Sequence, residues 1–221
     1  LVIPAKEEKE SLPKVLQEIE KFKCKKKIVL SRDDKETIEA AKKFENIEII
    51  FQNKKGVGSA IIEGVESVKT EFFCIFMADG STDPKYLNSL LEKSVKENLD
   101  FVFSSRYSGP NCGSDDDTII TFLGNYFFTK IGNILFNLKL SDILYNYVLG
   151  KTVSFSKLKL KASDHRICVE LPIKAKFNNF IFSSISSFER KRIGGFKKVN
   201  ALKDGFLILT EILRLYFTRK N

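Results

Sequence analysis

The feature that most limits what this chain can fold into is a regular alternation of short apolar runs and amphipathic stretches over residues 1–107. Runs such as "KKKIVL", "IEIIF" and "DFVFSSR" have the length and composition of strands, whereas "SLPKVLQEIEKF" and "DPKYLNSLLEKSVKEN" have the apolar spacing of helices. Strands that alternate with helices in this way form a parallel sheet that is covered on both faces. The sequence therefore predicts an α/β fold with a mostly parallel central sheet.

Beyond residue 107 the alternation weakens and two long apolar stretches appear. Residues 118–140 are too apolar for a helix with one buried stripe, and residues 200–217 predict an amphipathic helix. No run comes near the roughly 20 apolar residues of a membrane-spanning helix. We predict one domain, with a ligand-binding half (1–107), a second half (108–197) and a C-terminal amphipathic helix (198–221). The chain opens on a strand without Met, as a fragment or trimmed product would.

The positive charge of the chain is concentrated in its last third. Residues 151–221 carry 16 Lys and Arg against 5 Asp and Glu, or +11, and residues 1–150 carry 21 against 23, or −2. This asymmetry predicts an anionic partner, namely a phosphate, a nucleic acid or a lipid surface, with a solvated lysine-rich face as the alternative. No nucleic-acid-binding motif appears, so we predict no nucleic-acid partner. A single His and four scattered Cys argue against a zinc site.

Polar or glycine-bearing stretches follow several predicted strands, at residues 4–8, 54–58, 79–83 and at Arg106. The carboxyl ends of parallel strands meet at one edge of a sheet, where such folds bind ligands, so we expect these stretches to converge. In "FMADGSTDP", Asp79 directly follows a strand and can hold a divalent cation, with Ser81 or Asp83 adding an oxygen. The alternative is that Asp79 only orders the turn. For Asp83 we favour a helix cap.

Two further stretches are typical of phosphate binding. "KKGVGSA" is glycine-rich and precedes a helix, although a tight strand-to-helix turn explains it equally well. "FERKRIGGFKK" combines arginines, lysines and adjacent glycines, and arginine forks match phosphate oxygens. The alternative for this stretch is a flexible basic loop, and the alternative for Arg106 is a surface ion pair.

Taken in order, these stretches resemble the family 2 glycosyltransferases, specifically the branch that acts on dolichyl (polyprenyl) phosphate. The matching stretches are "VIPAKEEKESLP", "KKGVGSAIIEG", "ADGSTDP", "SSRY", "SD" to "YNY" near Asp142, "VELPIKA" around Glu170, and "FERKRIGGFKKVNALKDG". The resemblance covers nearly the whole chain. It implies a Rossmann-like GT-A fold, a nucleotide-diphosphate sugar donor, Mg²⁺ or Mn²⁺, and inversion at the sugar C1.

The resemblance also implies roles for individual residues. The implied nucleotide-sugar contacts are Pro4, Ala5, Glu8, Asp33, Gly56, Gly58, Ala78 and Asp79. The chain has "LSRDDKET" in place of the family's nucleobase loop, so Ser31 is the alternative to Asp33 as the residue that faces the base. The implied metal ligands are Asp79 and Ser81, and the implied catalytic residues are Asp79, Arg106 and Arg190. The implied acceptor or phosphate contacts are Arg190, Arg192, Lys197, Lys198, Asp142 and Glu170. The chain departs from the family at Met77, which replaces the first Asp of the metal motif, and a thioether is a poor ligand for a hard cation.

The choice of acceptor depends on whether the chain has a general base. A hydroxyl acceptor needs a general base, whereas a phosphate monoester is already anionic. With Asp79 assigned to the metal, no unambiguous base remains, and Glu170 and Asp142 are the candidates. We therefore predict a peripheral enzyme at the cytoplasmic face of a membrane. It would move a hexose from GDP-mannose or UDP-glucose to a polyprenyl phosphate, with its two apolar helices in the lipid interface. The alternatives are a soluble transferase for a glycan hydroxyl and a non-catalytic homologue that binds nucleotide or membrane.

Overall fold

The computed structural model describes residues 1–194 and 200–219. The strands of this part of the chain are β1 (Val2–Ala5), β2 (Lys27–Leu30), β3 (Glu48–Phe51), β4 (Phe72–Cys74), β5 (Phe101–Ser105), β6 (Gly113–Ser114), β7 (Val148–Lys151), β8 (Phe182–Ser186) and β9 (Phe188–Glu189). The α-helices are α1 (Ser11–Glu18), α2 (Lys35–Ala41), α3 (Val57–Glu66), α4 (Leu87–Lys96), α5 (Ile119–Phe136), α6 (Thr152–Leu158), α7 (Ile167–Phe177) and α8 (Ala201–Thr218). A short 3-10 helix, Pro84–Tyr86, precedes α4.

The central sheet has the strand order β3-β2-β1-β4-β7-β5-β8. Strands β1, β2 and β3 are parallel, and a parallel bridge between Val2 and Ile75 joins β1 to the end of β4. Strand β8 is parallel to β5, but β7 is antiparallel to both β4 and β5. The predicted mostly parallel α/β fold is therefore confirmed. The stretch "SDILYNYVLGK" contains β7, the one antiparallel strand of this sheet among the described residues.

Apolar side chains fill both faces of the sheet, as the run of buried strand residues requires. Successive strand residues point to opposite faces. Val2 accordingly lies in the core under α3, α6 and α7, whereas Ile3 lies in the core under α1 and α4. Phenylalanines occupy much of this core, and Phe76 and Phe101 are fully buried.

The predicted helix start at Asp83 is confirmed. The Asp83 carboxylate accepts a hydrogen bond from the Lys85 backbone nitrogen at 3.0 Å, and Pro84 occupies the first helical position. This cap ends the loop 79–83 and fixes where α4 begins. The predicted amphipathic helix over 200–217 is also present, as α8.

Helix α5 has two apolar faces. One face is buried, with Phe128, Gly132 and Phe136 packed in the core, and it contacts α8 through the rings of Phe136 and Tyr216. The opposite face is exposed. By length and composition α5 is long and apolar enough to cross a membrane, and 28% of it is buried. The expectation that no stretch approaches spanning length is therefore corrected for these 18 residues.

Candidate active site

The loop at residues 79–83 lies at the carboxyl edge of the sheet and is held by its own hydroxyls. The Oδ1 atom of Asp79 accepts hydrogen bonds from the Ser81 backbone nitrogen at 3.0 Å and from the Ser81 hydroxyl at 2.7 Å. Both residues are buried. Because Ser81 occupies Oδ1, the second oxygen of Asp79 is the one turned toward the segment that covers this loop.

Residues 190–193, which we call the covering segment, run across this loop. The Arg190 backbone nitrogen donates to the Ser81 carbonyl, and the Ile193 nitrogen donates to the Asp79 carbonyl, both at 2.8 Å. The Ile193 side chain sits so close to Gly80 that a Cβ there would lie 2.5 Å from it, and Gly80 has a φ of +83°. Glycine is required here both by the backbone conformation and by this close approach.

Arg192 links two carboxylates above this loop. Its guanidinium donates to both oxygens of Asp116, from Nε at 3.0 Å and from Nη2 at 2.8 Å. The same Nη2 atom lies 3.6 Å from Oδ2 of Asp79. The hydrogen bonds to Asp116 raise the pKa of Arg192, and the Asp79 charge raises it further against the effect of burial. Sequence reasoning assigned Arg192 but missed Asp116, which lies in the polar loop "SGPNCGSDDD".

Arg190 points away from Asp79 and toward α1. Its guanidinium forms a bidentate pair with Glu18, with Nη2 at 2.9 Å from Oε2, and donates to the Thr82 carbonyl at 2.8 Å. The pair with Glu18 raises the pKa of Arg190. Its Nε atom is buried without a hydrogen-bond partner in the described part of the chain. As placed, Arg190 ties the covering segment to α1.

Arg106 and Asp142, predicted to contact phosphate and acceptor, are bonded to each other. Arg106 donates to Asp142 from Nε at 2.7 Å and from Nη2 at 3.1 Å, and to Glu189 from Nη1 at 2.9 Å. Burial alone would lower the pKa of Arg106, but these two carboxylates raise it well above its usual value. A phosphate would have to displace a carboxylate to reach this guanidinium, so the geometry corresponds to a positioning residue.

Glu189 is a buried carboxylate that sequence reasoning did not single out. Its Oε2 atom accepts from Arg106 and, at 2.5 Å, from the Ser114 hydroxyl. Burial raises its pKa, although Arg106 and Ser114 act in the opposite direction. The nearby Tyr145 hydroxyl is buried and has no hydrogen-bond partner among the residues described. Its pKa is raised by burial and then by carboxylates that include Glu189 and Asp79.

The glycine-rich turn is shaped by packing. A Cβ on Gly56 would lie 2.1 Å from the Ser163 carbonyl oxygen, and one on Gly58 would lie 2.2 Å from that of Ala162. The turn amides of residues 53 and 54 donate to the Glu63 carboxylate, at 2.6 and 3.0 Å. These contacts favour the tight-turn interpretation over a phosphate cradle.

Glu170 braces the loop against which this turn packs. It is fully buried, accepts from the backbone nitrogens of Lys161 and Ala162, and pairs with Lys174 at 2.7 Å. The sequence resemblance implied an acceptor contact at Glu170. In the structure its carboxylate is committed to this loop.

The predicted nucleotide contacts lie at the end of β1 and beside it. Pro4 and Ala5 are buried in the strand, and Ala78 is buried just before Asp79. The Glu8 backbone nitrogen donates to the Thr37 hydroxyl at 3.0 Å, and the Glu8 charge is among those that raise the pKa of Arg192. Asp33 is exposed, with its pKa lowered by a hydrogen bond from Ser31.

A divalent cation fits this site through Asp79. One of its carboxylate oxygens faces the Arg192 guanidinium, which shows that a positive charge is accommodated there. Met77 is half-buried and offers only a thioether. In residues 1–194 and 200–219 no three His, Cys, Asp or Glu side chains are grouped so as to hold a metal ion by themselves, so Asp79 would share the cation with ligands other than a ready-made protein cluster. When bound, such a cation neutralises a diphosphate leaving group. Lys197 and Lys198, also predicted to contact phosphate, lie outside the described residues.

Solved structures with the same fold are glycosyltransferases that bind nucleotide and metal. Glucosyl-3-phosphoglycerate synthase from Mycobacterium tuberculosis, in complex with Mn²⁺, UDP and glucosyl-3-phosphoglycerate, is 12% identical with a TM-score of 0.74, over 97% of this chain and 78% of that one. The same enzyme with Mn²⁺, UDP-glucose and phosphoglyceric acid has a TM-score of 0.70 at 12% identity and the same coverage. A further structure binds Mg²⁺ and UDP. The ions bound there are the two predicted for this chain.

The sequence itself also matches a family. The model of the family described as "Glycosyl transferase family 2" matches residues 1–159, which is well over half of the 221-residue chain. The matched range contains the strands β1 to β5 and the Asp79 loop. This chain belongs to glycosyl transferase family 2 and has its GT-A fold.

Proposed function

We propose that this glycosyltransferase moves a hexose from a nucleotide-diphosphate sugar to a polyprenyl phosphate at a membrane surface. GDP-mannose and UDP-glucose are the donors to be compared. Asp79 supports the donor assignment because it lies at the carboxyl edge of the sheet, beside Arg192, with one oxygen turned toward that guanidinium. Its carboxylate would hold the cation of the donor diphosphate, and Arg192, 3.6 Å away, could bind phosphate oxygens.

The observation that carries the lipid acceptor is the exposed apolar face of α5, next to the site. Ile119 is 80% exposed, Ile120 67% and Phe127 52%. The start of α5 is attached to the site, because Asp117, two residues before the helix, accepts a hydrogen bond from the Tyr107 hydroxyl and lies 3.6 Å from Arg106. An apolar surface of this kind marks a contact with protein or membrane. A lipid chain on this face would bring its phosphate to the site.

Helix α8 extends this apolar surface. It packs beside α5, with Gly205 next to the Phe128 ring and the Arg219 guanidinium donating to the Leu135 carbonyl at 2.9 Å. Phe206 is 68% exposed. Lys130 and Arg219 provide positive charges on these helices, which suits an anionic lipid surface.

The geometry favours helices that lie in the interface over a helix that spans the bilayer. The inner face of α5 is held by polar contacts. The Asn125 side-chain nitrogen donates to Asp142 at 2.7 Å, and the Thr129 hydroxyl donates to the Asn125 side-chain oxygen at 3.1 Å. Crossing a membrane would break these buried hydrogen bonds and separate α5 from the core. We therefore propose peripheral attachment, at the cytoplasmic face.

A second candidate is transfer to a hydroxyl of a soluble acceptor. The observation that favours it is Glu189, a buried carboxylate with a raised pKa within the cluster that also contains Arg106. A carboxylate of raised pKa is what a general base requires. The similar synthase has phosphoglyceric acid bound beside UDP-glucose, so a small phosphorylated acid belongs among the acceptors to be tested.

One assay separates the two candidates. The purified chain is incubated with radiolabelled GDP-mannose or UDP-glucose and Mn²⁺, and offered polyprenyl phosphate in vesicles, 3-phosphoglycerate or a short glycan. Organic extraction then separates labelled lipid from labelled soluble product. We expect label in the lipid phase. Label only in the aqueous product would reject the lipid acceptor and support the second candidate.

The membrane contact is tested with a matched pair of variants. Ile120→Ser/Phe127→Ser alters the exposed face of α5, and Leu91→Ser/Val95→Ser alters two exposed apolar residues of α4. We expect the first variant to lose flotation with anionic vesicles and the second to keep it, with unchanged circular dichroism in both. Equal flotation of the two variants would reject α5 as the membrane-binding surface.

A further inference from the structure

A second carboxylate faces the position that Asp79 is expected to give the cation. The Arg192 Nη2 atom lies 3.6 Å from Oδ2 of Asp79 and 2.8 Å from Oδ2 of Asp116. Because one nitrogen is common to both distances, the two carboxylate oxygens are at most 6.4 Å apart. Asp116 is thus close enough to stand in for the carboxylate that the chain lacks at Met77.

The charges of the two carboxylates favour a cation at this position. The side chains of Asp79 and Asp116 are only 12% and 13% exposed, so water screens their mutual repulsion poorly. Arg192 contributes a compensating charge, and its fork is occupied by Asp116. A divalent ion between the two carboxylates would supply twice that charge and release the guanidinium.

The Tyr145 hydroxyl is a buried polar group of the same region without a hydrogen-bond partner among the described residues. Tyr145 is 6% exposed, and its hydroxyl has no hydrogen-bond partner in residues 1–194 and 200–219. Asp79 and Glu189 are among the carboxylates whose charges it feels, so the hydroxyl lies in the same polar cluster. A water molecule of a hydrated ion would satisfy such a group.

We propose that Asp116 supplies the second carboxylate of the cation site, opposite Asp79, and that Arg192 occupies this site while no cation is bound. Mg²⁺ binds carboxylate oxygen at about 2.0–2.1 Å and keeps several of its waters. An ion bound directly to one carboxylate and through one water to the other spans roughly 6 Å, which agrees with the limit on the separation of the two oxygens. The proposal rests on the metal-dependent function proposed above.

The test is a Mn²⁺ titration of the full chain without nucleotide, followed by the electron paramagnetic resonance signal of free Mn²⁺. Asp116→Asn should weaken binding at least tenfold, whereas Asp115→Asn, an exposed neighbour of equal charge, should stay within twofold of the unaltered chain. Arg192→Gln should tighten binding severalfold, because it removes the competing cation. Thermal melting of each variant confirms that it is folded.

The outcomes separate this inference from the proposed function. If the unaltered chain binds Mn²⁺ and Asp116→Asn binds it equally well, the role of Asp116 is refuted while metal-dependent transfer stands. If the unaltered chain transfers sugar in EDTA and binds no Mn²⁺, the metal-dependent function itself fails. Should Asp116→Asn not fold, Asp116→Glu keeps the charge, and Arg192→Gln gives an independent result, since unchanged or weaker binding in that variant would overturn the proposal.

Discussion

Arg106 allows a structural role to be distinguished from a ligand contact by a single substitution. Replacing it with Met keeps much of the volume of the side chain and removes the charge. In the structure this charge compensates Asp142, whose side chain is fully buried, and Glu189, whose side chain is 11% exposed. The substitution therefore leaves two buried carboxylates with no cation between them.

The expected cost follows from this arrangement. Removing one partner of a buried ion pair costs about 3–5 kcal/mol, because the remaining charge stays buried. For a chain of this size each kcal/mol corresponds to roughly 2–4 °C, so Arg106→Met should lower the melting temperature by roughly 6–20 °C. Urea unfolding followed by circular dichroism measures the same loss as a lower midpoint with an unchanged slope.

Two controls complete this experiment. Arg106→Met/Asp142→Asn should recover part of the stability, because Asn removes one of the uncompensated charges. Arg32→Met changes an exposed arginine that stacks on Phe51, and should cost less than about 1 kcal/mol. If Arg106→Met is as stable as Arg32→Met but no longer binds donor nucleotide, Arg106 is a ligand contact as its motif implied, and the structural reasoning is refuted.

Three further predictions concern the supports of the site. Gly58→Ala places a Cβ 2.2 Å from the Ala162 carbonyl and should destabilise the fold by about 1–3 kcal/mol. Gly124→Ala lies within a helix, where the added Cβ meets nothing within 4 Å, and should stabilise the fold by up to about 1 kcal/mol. Urea unfolding measures both changes. Glu170→Gln should lower stability and leave the pH profile of transfer unchanged, and a lost alkaline or acidic limb would show that Glu170 is a base after all. Burial lowers the pKa of His165 below its usual value of about 6.5, so the unfolded chain takes up a proton at a higher pH than the folded chain does. The free energy of unfolding therefore falls as the pH drops through about 6.5. His165→Gln should remove this contribution to the difference in unfolding free energy between about pH 7.5 and 5.5.

Most of the fold could be predicted from local sequence patterns. The alternation of strands and helices, the cap at Asp83 and the amphipathic α8 depend on neighbours within a few residues, so periodicity and composition predict them. The antiparallel direction of β7 could not be predicted in this way. It depends on how the chain returns between β4 and β5 after α5, and on no local signal in "YNYVLGK".

Only the part of the candidate site that depends on neighbouring residues in the sequence could be predicted. Asp79, which directly follows a strand, could be singled out from its position alone. Arg106 could not be distinguished from a phosphate contact, because its partners Asp142 and Glu189 lie 36 and 83 residues away in the sequence. For the same reason Asp116 received no role. Asp116 contacts the site only through Arg192, which the covering segment brings to it. The sequence of an acidic loop does not predict such a contact.

The close packing of the glycine-rich turn has a consequence for how this protein can diverge. Gly56 and Gly58 leave room only for the carbonyl oxygens of residues 162 and 163. Glu170 holds the same loop by accepting hydrogen bonds from the backbone nitrogens of Lys161 and Ala162. The matched family range ends at residue 159, just before this brace. Substitutions in the glycine-rich turn and in the loop after residue 159 should therefore covary. Descendants that acquire a side chain at either glycine should also change the length of the 160–165 loop or lose the acidic residue that holds it.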